Sequence, residues 1–377
     1  MRNNKSFSIN LFSHWAKSVD LFNLSMIIFL ISLGILFVTT SSPSIAIKKD
    51  LTELYFIKKH GVFIILALTT LLLFSFFSLK GIINISFLGG GVSIFLMLIT
   101  LIQNNVNNGA ARWLEFLGFT IQPSEFFKSF LIIIFSYFLT IKEEIEYKHL
   151  KLHGNLIAFF LLIFTSILLV LQPNFSMLTI IFLVFFAQYF IAGINIKWVL
   201  ITFANILFFF LVAYFSTSHV KSRISNYFNE ERNHYQIEKS MEAYQAGGYF
   251  GKGPGEGTIK KNIPDAHTDF IFPVIAEEYG IITCFVIIFI IFTIFFRGLY
   301  RVSDCEDKFS IVACSGLLVM FILQSLINIS VSVKLIPITG IPLPLISYGG
   351  SSLISTCIGL GMMLSITRKR FGGISYS

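Results

Sequence analysis

The sequence predicts an all-α fold: a polytopic membrane helix bundle of about ten transmembrane helices with one long loop on the outer side. Of its 377 residues, 55% are hydrophobic and 13% are charged, and the mean hydropathy is +0.79. A soluble domain carries roughly 25% charged residues, so this chain has too little polar surface to face water. Inside lipid every backbone polar group must be paired within the chain, which favours helices.

Ten apolar runs are long enough to cross a bilayer, since a spanning helix needs about 20 residues. They lie at about 21–41, 61–79, 81–102, 123–141, 155–172, 175–193, 197–217, 268–297, 309–331 and 348–367. The proline at Gln172-Pro173 could kink a single helix, but the apolar length around it favours two helices. The boundary between the next two predicted helices, near Ile194, is marked just as weakly in the sequence.

An even number of spans places both chain ends on one side of the membrane. Lys and Arg are more frequent in the short loops of that side, which predicts cytoplasmic termini. When the long loop, at about 218–267, is included in the count, the excess of Lys and Arg on that side disappears. The predicted organisation is a cytoplasmic segment at 1–20, a single transmembrane domain at 21–367 and a cytoplasmic tail at 368–377. No small-residue cleavage site accompanies the first span, which is therefore interpreted as a retained helix.

Charge and cysteine content exclude several classes of protein. The net charge of +8 does not indicate nucleic-acid binding, because no basic stripe is interleaved with aromatic residues on a polar scaffold. In a membrane protein, basic residues mark cytoplasmic loops and contacts with lipid headgroups. The cysteines lie in or beside apolar runs, so we expect neither a disulfide nor a metal site from them. They are Cys284, Cys305, Cys314 and Cys357.

The long loop ends in a glycine-rich segment at 247–257. Glycines permit tight turns and close approach of the backbone to a ligand, and exposed amides could hold phosphate oxygens. A flexible connector is the alternative interpretation. The segment is not a P-loop, because no Gly-Lys-Ser/Thr leads from it into a helix.

Asp269 stands directly before an apolar span. As an acid in the first turn it would suit the helix dipole, with His267 or Thr268 as the helix cap. Partly desolvated and next to an imidazole, it would equally suit a general base. The residues alone leave both interpretations open.

Glu277 and Glu278 follow inside the same span. Carboxylates within a span are costly and normally face the protein interior or a water-filled cavity. Either they are structural acids, with Lys128 or Arg112 as partners, or they take part in a site. The structural interpretation is slightly favoured.

An outer segment at 109–128 contains the pair Arg112-Trp113 and the charged residues Glu125 and Lys128. Pro123, with an acid two residues later, predicts the start of a helix. Trp113 suits the aromatic belt at a membrane surface. Arg112 would contact phosphates, either of membrane lipids or of a lipid-linked substrate.

The stretch 337–352 separates the last two spans and contains three prolines. These residues break the helix, after which glycines and serines allow close helix approach. The stretch is either a re-entrant segment that lines a cavity or an ordered loop.

In this order, the motifs resemble those of the SEDS family of shape, elongation, division and sporulation proteins, from about the first span to the last. Each motif is weak alone and the combination is highly specific. The stretches Gly253–Thr258 and Pro264–His267 look most like the division branch of that family. The matching motifs are Arg112-Trp113, Gln122-Pro123-Ser124-Glu125, Gln172-Pro173, the glycine-rich segment, His267-Thr268-Asp269-Phe270-Ile271-Phe272, Ala276-Glu277-Glu278 and Leu345-Ile346-Ser347-Tyr348-Gly349-Gly350-Ser351-Ser352.

The resemblance implies a peptidoglycan glycosyltransferase that polymerises lipid II on the periplasmic face of a bacterial inner membrane, at the division septum. Asp269 would be the general base and undecaprenyl diphosphate the leaving group. A divalent cation, Mg²⁺ or Mn²⁺, could lie beside Asp269, and no organic cofactor is expected. The implied partners are lipid II, undecaprenyl-linked glycan, membrane lipids, a class B penicillin-binding protein and other divisome proteins, with no nucleic acid.

The resemblance also implies a set of substrate-binding residues at the outer ends of the spans. They are Arg112, Trp113, Glu125, Lys128, His267, Thr268, Glu277, Ser347, Tyr348 and Gly349. Two positions depart from the family pattern. Asn174 stands where an acid is usual, and Pro273 is expected to kink the helix that follows Asp269 by removing a backbone donor.

Two other functions remain alternatives to polymerisation. A lipid II flippase should carry polar residues along the inner half of the bundle, whereas the candidate sites here cluster at the outer ends. A non-catalytic divisome scaffold should tolerate loss of Asp269, yet the motif around that residue is intact.

Overall fold

The computed structural model of the chain describes residues 13–103, 112–116, 118–141, 145–147, 150–194, 197, 201, 204, 215 and 234–368. Within them α-helix is the dominant secondary structure, which confirms the predicted all-α class. The strands among the described residues form two short antiparallel hairpins. They pair β1 (Leu114–Phe116) with β2 (Phe119–Ile121), and β3 (Ile145–Tyr147) with β4 (Leu150–Leu152).

The longer helices coincide with the predicted apolar runs. In chain order the helices are α1 (Leu21–Ser41), α2 (Pro43–Lys48), α3 (Tyr55–Phe76), α4 (Leu79–Gln103), α5 (Pro123–Thr140), α6 (Gly154–Leu171), α7 (Phe175–Ile191), α8 (His234–Gly247), α9 (Ile271–Val302), α10 (Lys308–Ser332) and α11 (Gly350–Ile366). The chain breaks between α6 and α7, so the prediction of two helices around Gln172-Pro173 is confirmed.

Seven of the described helices are long and apolar enough to span a membrane, and α7 and α11 are shorter apolar helices. The chain is therefore a multi-pass membrane protein. The predicted span at 197–217 and the start of the predicted long loop, 218–233, lie outside the described residues but for a few isolated positions. So do residues 1–12 and 369–377 of the predicted terminal segments.

Three helices form the centre of the bundle. Most of α5, α10 and α11 is buried, whereas α4 exposes most of its surface. Glycine lets α11 approach α3 closely, because a Cβ on Gly361 would lie only 2.7 Å from the carbonyl oxygen of Leu71. Small residues at such contacts are usual between membrane helices. The central position of α5 explains how it can carry buried charges.

The described part of the predicted long loop is structured. It begins with α8, which packs against α9 and α10. Ser240 Oγ donates to the carbonyl oxygen of Ser332 at 2.6 Å, and the hydroxyls of Tyr244 and Ser332 lie 2.8 Å apart. A four-residue 3₁₀ helix follows at Ile259–Asn262. Within the predicted long loop at 218–267, packing against two spans therefore stabilises a short polar helix.

The helix α9 is broken at Gly280, whose backbone has φ 84° and ψ 166°. The glycine-rich segment docks on this break. The amide of Lys252 donates to the carbonyl of Glu277 at 2.9 Å, and that of Gly253 to the carbonyl of Glu278 at 3.0 Å. In return, the amide of Ile281 donates to the carbonyl of Gly248 at 3.0 Å. The segment is thus a packed part of the fold rather than a flexible connector.

The predicted kink at Pro273 is wrong. Pro273 is the third residue of α9, and the non-helical backbone lies seven residues later, at Gly280. The first amides of a helix have no intrahelical acceptor, so proline is tolerated there. The helix bends where the glycine-rich segment can pair the opened backbone groups.

Asp20 fastens the opposite end of α9 to the start of α1. Its carboxylate accepts from Arg297 Nε at 2.8 Å and from Arg301 Nε at 2.9 Å, and it also caps α1 by accepting from the amide of Asn23. Burial alone would raise the pKa of Asp20, but the hydrogen bonds from the two arginines outweigh it and hold that pKa below its usual value. This cluster ties the end of α9 to the start of α1.

Gly280→Ala is expected to destabilise the protein. Its backbone conformation costs a residue with a side chain roughly 1–3 kcal/mol, and the added Cβ would overlap the carbonyl oxygen of Tyr249. In detergent, the melting temperature should fall by several degrees and proteolysis at 247–258 should accelerate. Gly91→Ala in α4 is the control, since a Cβ there meets nothing within 4 Å. Equal melting of the two variants would contradict this account of the break.

Candidate active site

Asp269 lies in the segment 263–270 that leads into α9, and its side chain is half-buried. A Cβ placed on Gly340 would be 3.6 Å from Asp269 Oδ2, so the carboxylate faces the connection between α10 and α11. Gly340 has φ +71°, in the left-handed region that favours glycine. Glycine at this position therefore satisfies the backbone conformation and places no side chain against the carboxylate.

The prediction that His267 or Thr268 caps the following helix is wrong. The helix α9 begins at Ile271, and its N-cap residue Phe270 provides no side-chain hydrogen bond. Thr268 Oγ1 instead donates to the carbonyl oxygen of Asp265 at 3.1 Å and closes a turn within its own segment. Asp269 accordingly precedes the helix rather than standing in its first turn.

The connection between α10 and α11 holds the segment before Asp269 by its backbone. The amide of Tyr348 donates to the carbonyl oxygen of His267 at 2.8 Å. Ser347 Oγ donates to the carbonyl oxygen of Thr268 at 2.7 Å and accepts from the amide of Leu343 at 2.8 Å. The predicted residues Ser347 and Tyr348 thus lie beside the Asp269 segment, with Gly349 next to them at the N-cap of α11. The ordered-loop interpretation of this stretch agrees with these contacts.

The imidazole of His267 is buried among aromatic rings. Its centroid lies 4.6 Å from that of Phe56 and 5.1 Å from that of Tyr348. Burial, with a smaller effect of the positive charges nearby, lowers the pKa of His267 to about 3. Burial likewise raises the pKa of Tyr348 to about 12. Both side chains are therefore neutral at physiological pH.

Glu125 and Lys128 form a buried ion pair in the first turns of α5. The helix begins at Pro123 with Glu125 in its first turn, as predicted. Ser355 of α11 donates its hydroxyl to the backbone carbonyl of Glu125, and Ser129 Oγ donates to the carbonyl of Ser355 at 3.1 Å. The pair and the serines give α5 and α11 a polar contact inside an otherwise apolar bundle.

Arg112 fastens the β1–β2 hairpin to the junction of α6 and α7. Its Nε donates to the carbonyl oxygen of Gln172 at 3.0 Å, and a terminal nitrogen donates to the carbonyl oxygen of Pro173. Trp113 beside it is 40% exposed, in keeping with the predicted interfacial belt. Neither Arg112 nor Lys128 partners Glu277 or Glu278, so that predicted pairing is wrong.

Two hydrogen bonds join these features into one region. Asn174, at the position where the family usually has an acid, is buried and donates through Nδ2 to Ser124 Oγ at 3.2 Å. Ser176 Oγ donates to the carbonyl oxygen of Thr339 at 2.6 Å, next to Gly340. The start of α5, the α6–α7 junction and the segment facing Asp269 are therefore contiguous.

The carboxylate of Glu277 accepts hydrogen bonds from backbone amides of the long loop. Its Oε1 accepts from the amides of Thr258 and Ile259, both at 2.7 Å, and its Oε2 accepts from the amide of Lys260 at 2.8 Å. The side chain is fully buried. The structure supports the structural interpretation of Glu277, since both oxygens are used within the protein.

Sequence reasoning missed Lys260. It is buried and paired with Glu278, and its Nζ also donates to the carbonyl oxygens of Thr40 at 2.8 Å and Gly255 at 3.0 Å. Lysine in a polar loop ordinarily faces water, so nothing in the sequence marked it. The unusual cost of Glu278 inside a span was the available signal that a cation must be nearby.

Among the residues that the structure describes, no three His, Cys, Asp or Glu side chains come together in a way that could hold a metal ion. Among these residues, Asp269 is therefore not part of a three-ligand site for a divalent cation.

Together these observations define a class: a multi-pass helical membrane protein with a half-buried carboxylate and several buried polar contacts where its loops meet the bundle. The chain matches the profile of the FtsW/RodA/SpoVE cell cycle proteins over residues 21–371, and it belongs to that family.

The relatives of this chain include proteins named probable peptidoglycan glycosyltransferase FtsW. The protein from Caulobacter vibrioides is 36% identical over 367 residues, which cover 96% of this chain and 93% of the relative. The protein from Trichlorobacter lovleyi is 32% identical over 359 residues, which cover 92% and 93%. The resemblance to the division branch is thereby confirmed.

Solved structures share the fold. A chain from "Structural coordination of polymerization and crosslinking by a peptidoglycan synthase complex" has a TM-score of 0.74 at 22% identity, covering 93% of this chain and 97% of that one. The crystal structure of the Thermus thermophilus rod shape determining protein RodA has a TM-score of 0.67 at 21% identity, covering 93% and 96%.

Lys260→Met should destabilise the protein by about 3–5 kcal/mol, because it leaves the buried carboxylate of Glu278 without its cation. Lys260→Met combined with Glu278→Gln should melt above Lys260→Met alone, since the double variant buries no unpaired charge. Thermal melting in detergent gives the comparison. The exposed pair Lys239–Glu242 of α8 is the control, and Lys239→Met should leave melting unchanged. A Lys260→Met protein as stable as the wild type would refute the assignment.

Proposed function

We propose that this protein is a peptidoglycan glycosyltransferase that polymerises lipid II on the periplasmic face of the inner membrane during septal wall synthesis. The observation that carries the proposal is the half-buried carboxylate of Asp269, set against Gly340 in a polar region between helices. Relatives that match over most of the chain are named probable peptidoglycan glycosyltransferases. A membrane fold suits a reaction whose substrates carry long lipid tails.

In the proposed reaction, Asp269 removes the proton from the 4-hydroxyl of the acceptor's N-acetylglucosamine. The hydroxyl oxygen then attacks the anomeric carbon of N-acetylmuramic acid at the end of the growing chain. The bond from that carbon to the phosphate oxygen breaks, and undecaprenyl diphosphate leaves with the electron pair. Attack from the face opposite the leaving group inverts the configuration.

The departing diphosphate gains negative charge, which preorganised cations stabilise. Arg112 and Lys128 are the proposed cations, and Lys128 would have to exchange its buried ion pair with Glu125 for the phosphate. Both belong to the region that continues to Asp269 through the hydrogen bonds of Asn174 and Ser176. Arg112 is fixed by two backbone carbonyls, so little side-chain freedom is lost when it meets a phosphate.

No step of the proposed reaction runs through a metal ion. If a divalent cation such as Mg²⁺ or Mn²⁺ takes part, Asp269 would be its protein ligand, and the ion would stabilise negative charge on the leaving diphosphate. The steps above use the chain's own acid and cations.

The proposed partner is a class B penicillin-binding protein, which would crosslink the strands that this protein makes. Support comes from the likeness in fold to a chain of a peptidoglycan synthase complex that coordinates polymerization and crosslinking. Other divisome proteins would bring the pair to the septum.

Asp269→Asn is predicted to reduce polymerisation of purified lipid II by at least a hundredfold, because the amide keeps the shape of the side chain but cannot accept the proton. Gel analysis of glycan strands, with the cognate class B penicillin-binding protein present, measures the product. Asp265→Asn is the matched control. It makes the same change four residues earlier, at an exposed position in the same segment, and should keep wild-type activity.

Strands of normal yield from the Asp269→Asn protein would refute the general-base assignment. If the wild-type protein moved lipid II across vesicles without forming strands, the function would be that of a flippase. If it did neither, with the partner present, a scaffold role would replace both.

A further inference from the structure

Asn328 touches the backbone of Asp269 itself. It lies on α10, is 1% exposed, and its Nδ2 donates to the carbonyl oxygen of Asp269 at 2.8 Å. The same nitrogen donates to the carbonyl oxygen of Ile341 at 2.8 Å. One side-chain amide thus links the backbone of Asp269 to that of Ile341. Ile341 directly follows Gly340, which lies beside the Asp269 carboxylate.

Asn328 is one of three donors that hold the consecutive backbone carbonyls before α9. The carbonyl oxygens of His267, Thr268 and Asp269 are each held by a different donor from outside their segment. The first two donors, the amide of Tyr348 and the hydroxyl of Ser347, belong to the connection before α11. The third comes from a transmembrane helix, so Asn328 is the member of this series that ties the position of Asp269 to the rigid bundle.

The chemistry of the primary amide suits this task. Its nitrogen carries two N–H groups in a fixed fork, so one short side chain can hold two carbonyls at a set separation. Asn328 Oδ1 is buried and meets no hydrogen-bond partner in the described part of the chain. A buried acceptor without a partner lowers the stability of the folded protein. An apolar residue at position 328 would avoid that cost, so the two hydrogen bonds that Asn328 donates are the reason for an amide here.

We propose that Asn328 is a positioning residue for Asp269, setting the distance between its carboxylate and the segment at 339–341 where the acceptor sugar would lie. This inference rests on the proposed function. Without the amide, the Asp269 peptide keeps its place in the chain but loses its tie to α10. A displacement of about 1 Å costs roughly a hundredfold in rate, whereas binding of the lipid-linked substrate, by contacts elsewhere, is retained.

Asn328→Leu tests the proposal, because leucine has a similar volume and no donor. We expect kcat for polymerisation of lipid II to fall about 10- to 100-fold while KM stays within about threefold. Gln324→Met is the matched control. Gln324 lies one turn earlier on α10, is fully buried, and its amide has no hydrogen-bond partner in the described part of the chain. Its replacement should leave both kinetic constants unchanged.

Melting in detergent is measured alongside. A kcat for Asn328→Leu equal to that of Gln324→Met, or a loss of rate accompanied by an equal rise in KM, would overturn the proposal. If Asn328→Leu is not recovered folded, Asn328→Ala replaces it, with the same expected division between kcat and KM.

Separate results refute the glycosyltransferase activity of the protein and the positioning role of Asn328. A wild-type protein that forms no strands refutes the proposed function. An active wild type, an inactive Asp269→Asn protein and a fully active Asn328→Leu protein refute the positioning role alone.

Discussion

The rest of the structure depends on the break in α9 and on the backbone hydrogen bonds that replace those lost at the break. At Gly280 the helix loses its own hydrogen bonds, and the backbone of the glycine-rich segment replaces them. One turn earlier, Glu277 accepts three amides from the same loop. A buried carboxylate is costly, and only this density of donors, with Lys260 paired to Glu278 beside it, makes the arrangement stable. The loop that carries Asp269 is thereby anchored to a transmembrane helix at one end.

The second anchor is the connection between α10 and α11. It holds the segment before Asp269 through backbone carbonyls rather than through side chains. This arrangement leaves the Asp269 carboxylate to face Gly340, while the ring of the buried His267 packs against that of the partly exposed Tyr348. In the proposed reaction, the charged side chains at this end of the bundle are those of Asp269, Arg112 and Lys128.

The spans could be predicted from sequence because hydrophobicity over about 20 residues decides whether a segment enters a membrane. Nine of the ten predicted runs coincide with described helices. The helix α8 could not be predicted, since its stability comes from packing on α9 and α10 rather than from its own sequence. The break at Gly280 instead of Pro273 was missed for a related reason. It depends on which backbone groups a distant segment can pair.

For the candidate site, the sequence marked Asp269 and the residues around it but not the connections among them. Glu277 stood out as a carboxylate in a span, yet its partners are backbone amides, which leave no trace in residue identities. Asn328 was hidden in an apolar run, although a polar amide at a buried position was a signal. The most direct test of the account is a structure of the Asp269→Asn protein with bound lipid II. The account predicts a sugar hydroxyl oxygen within about 3.2 Å of the substituted side-chain amide at position 269. Lipid II bound with its sugars away from this position and from Gly340 would contradict it.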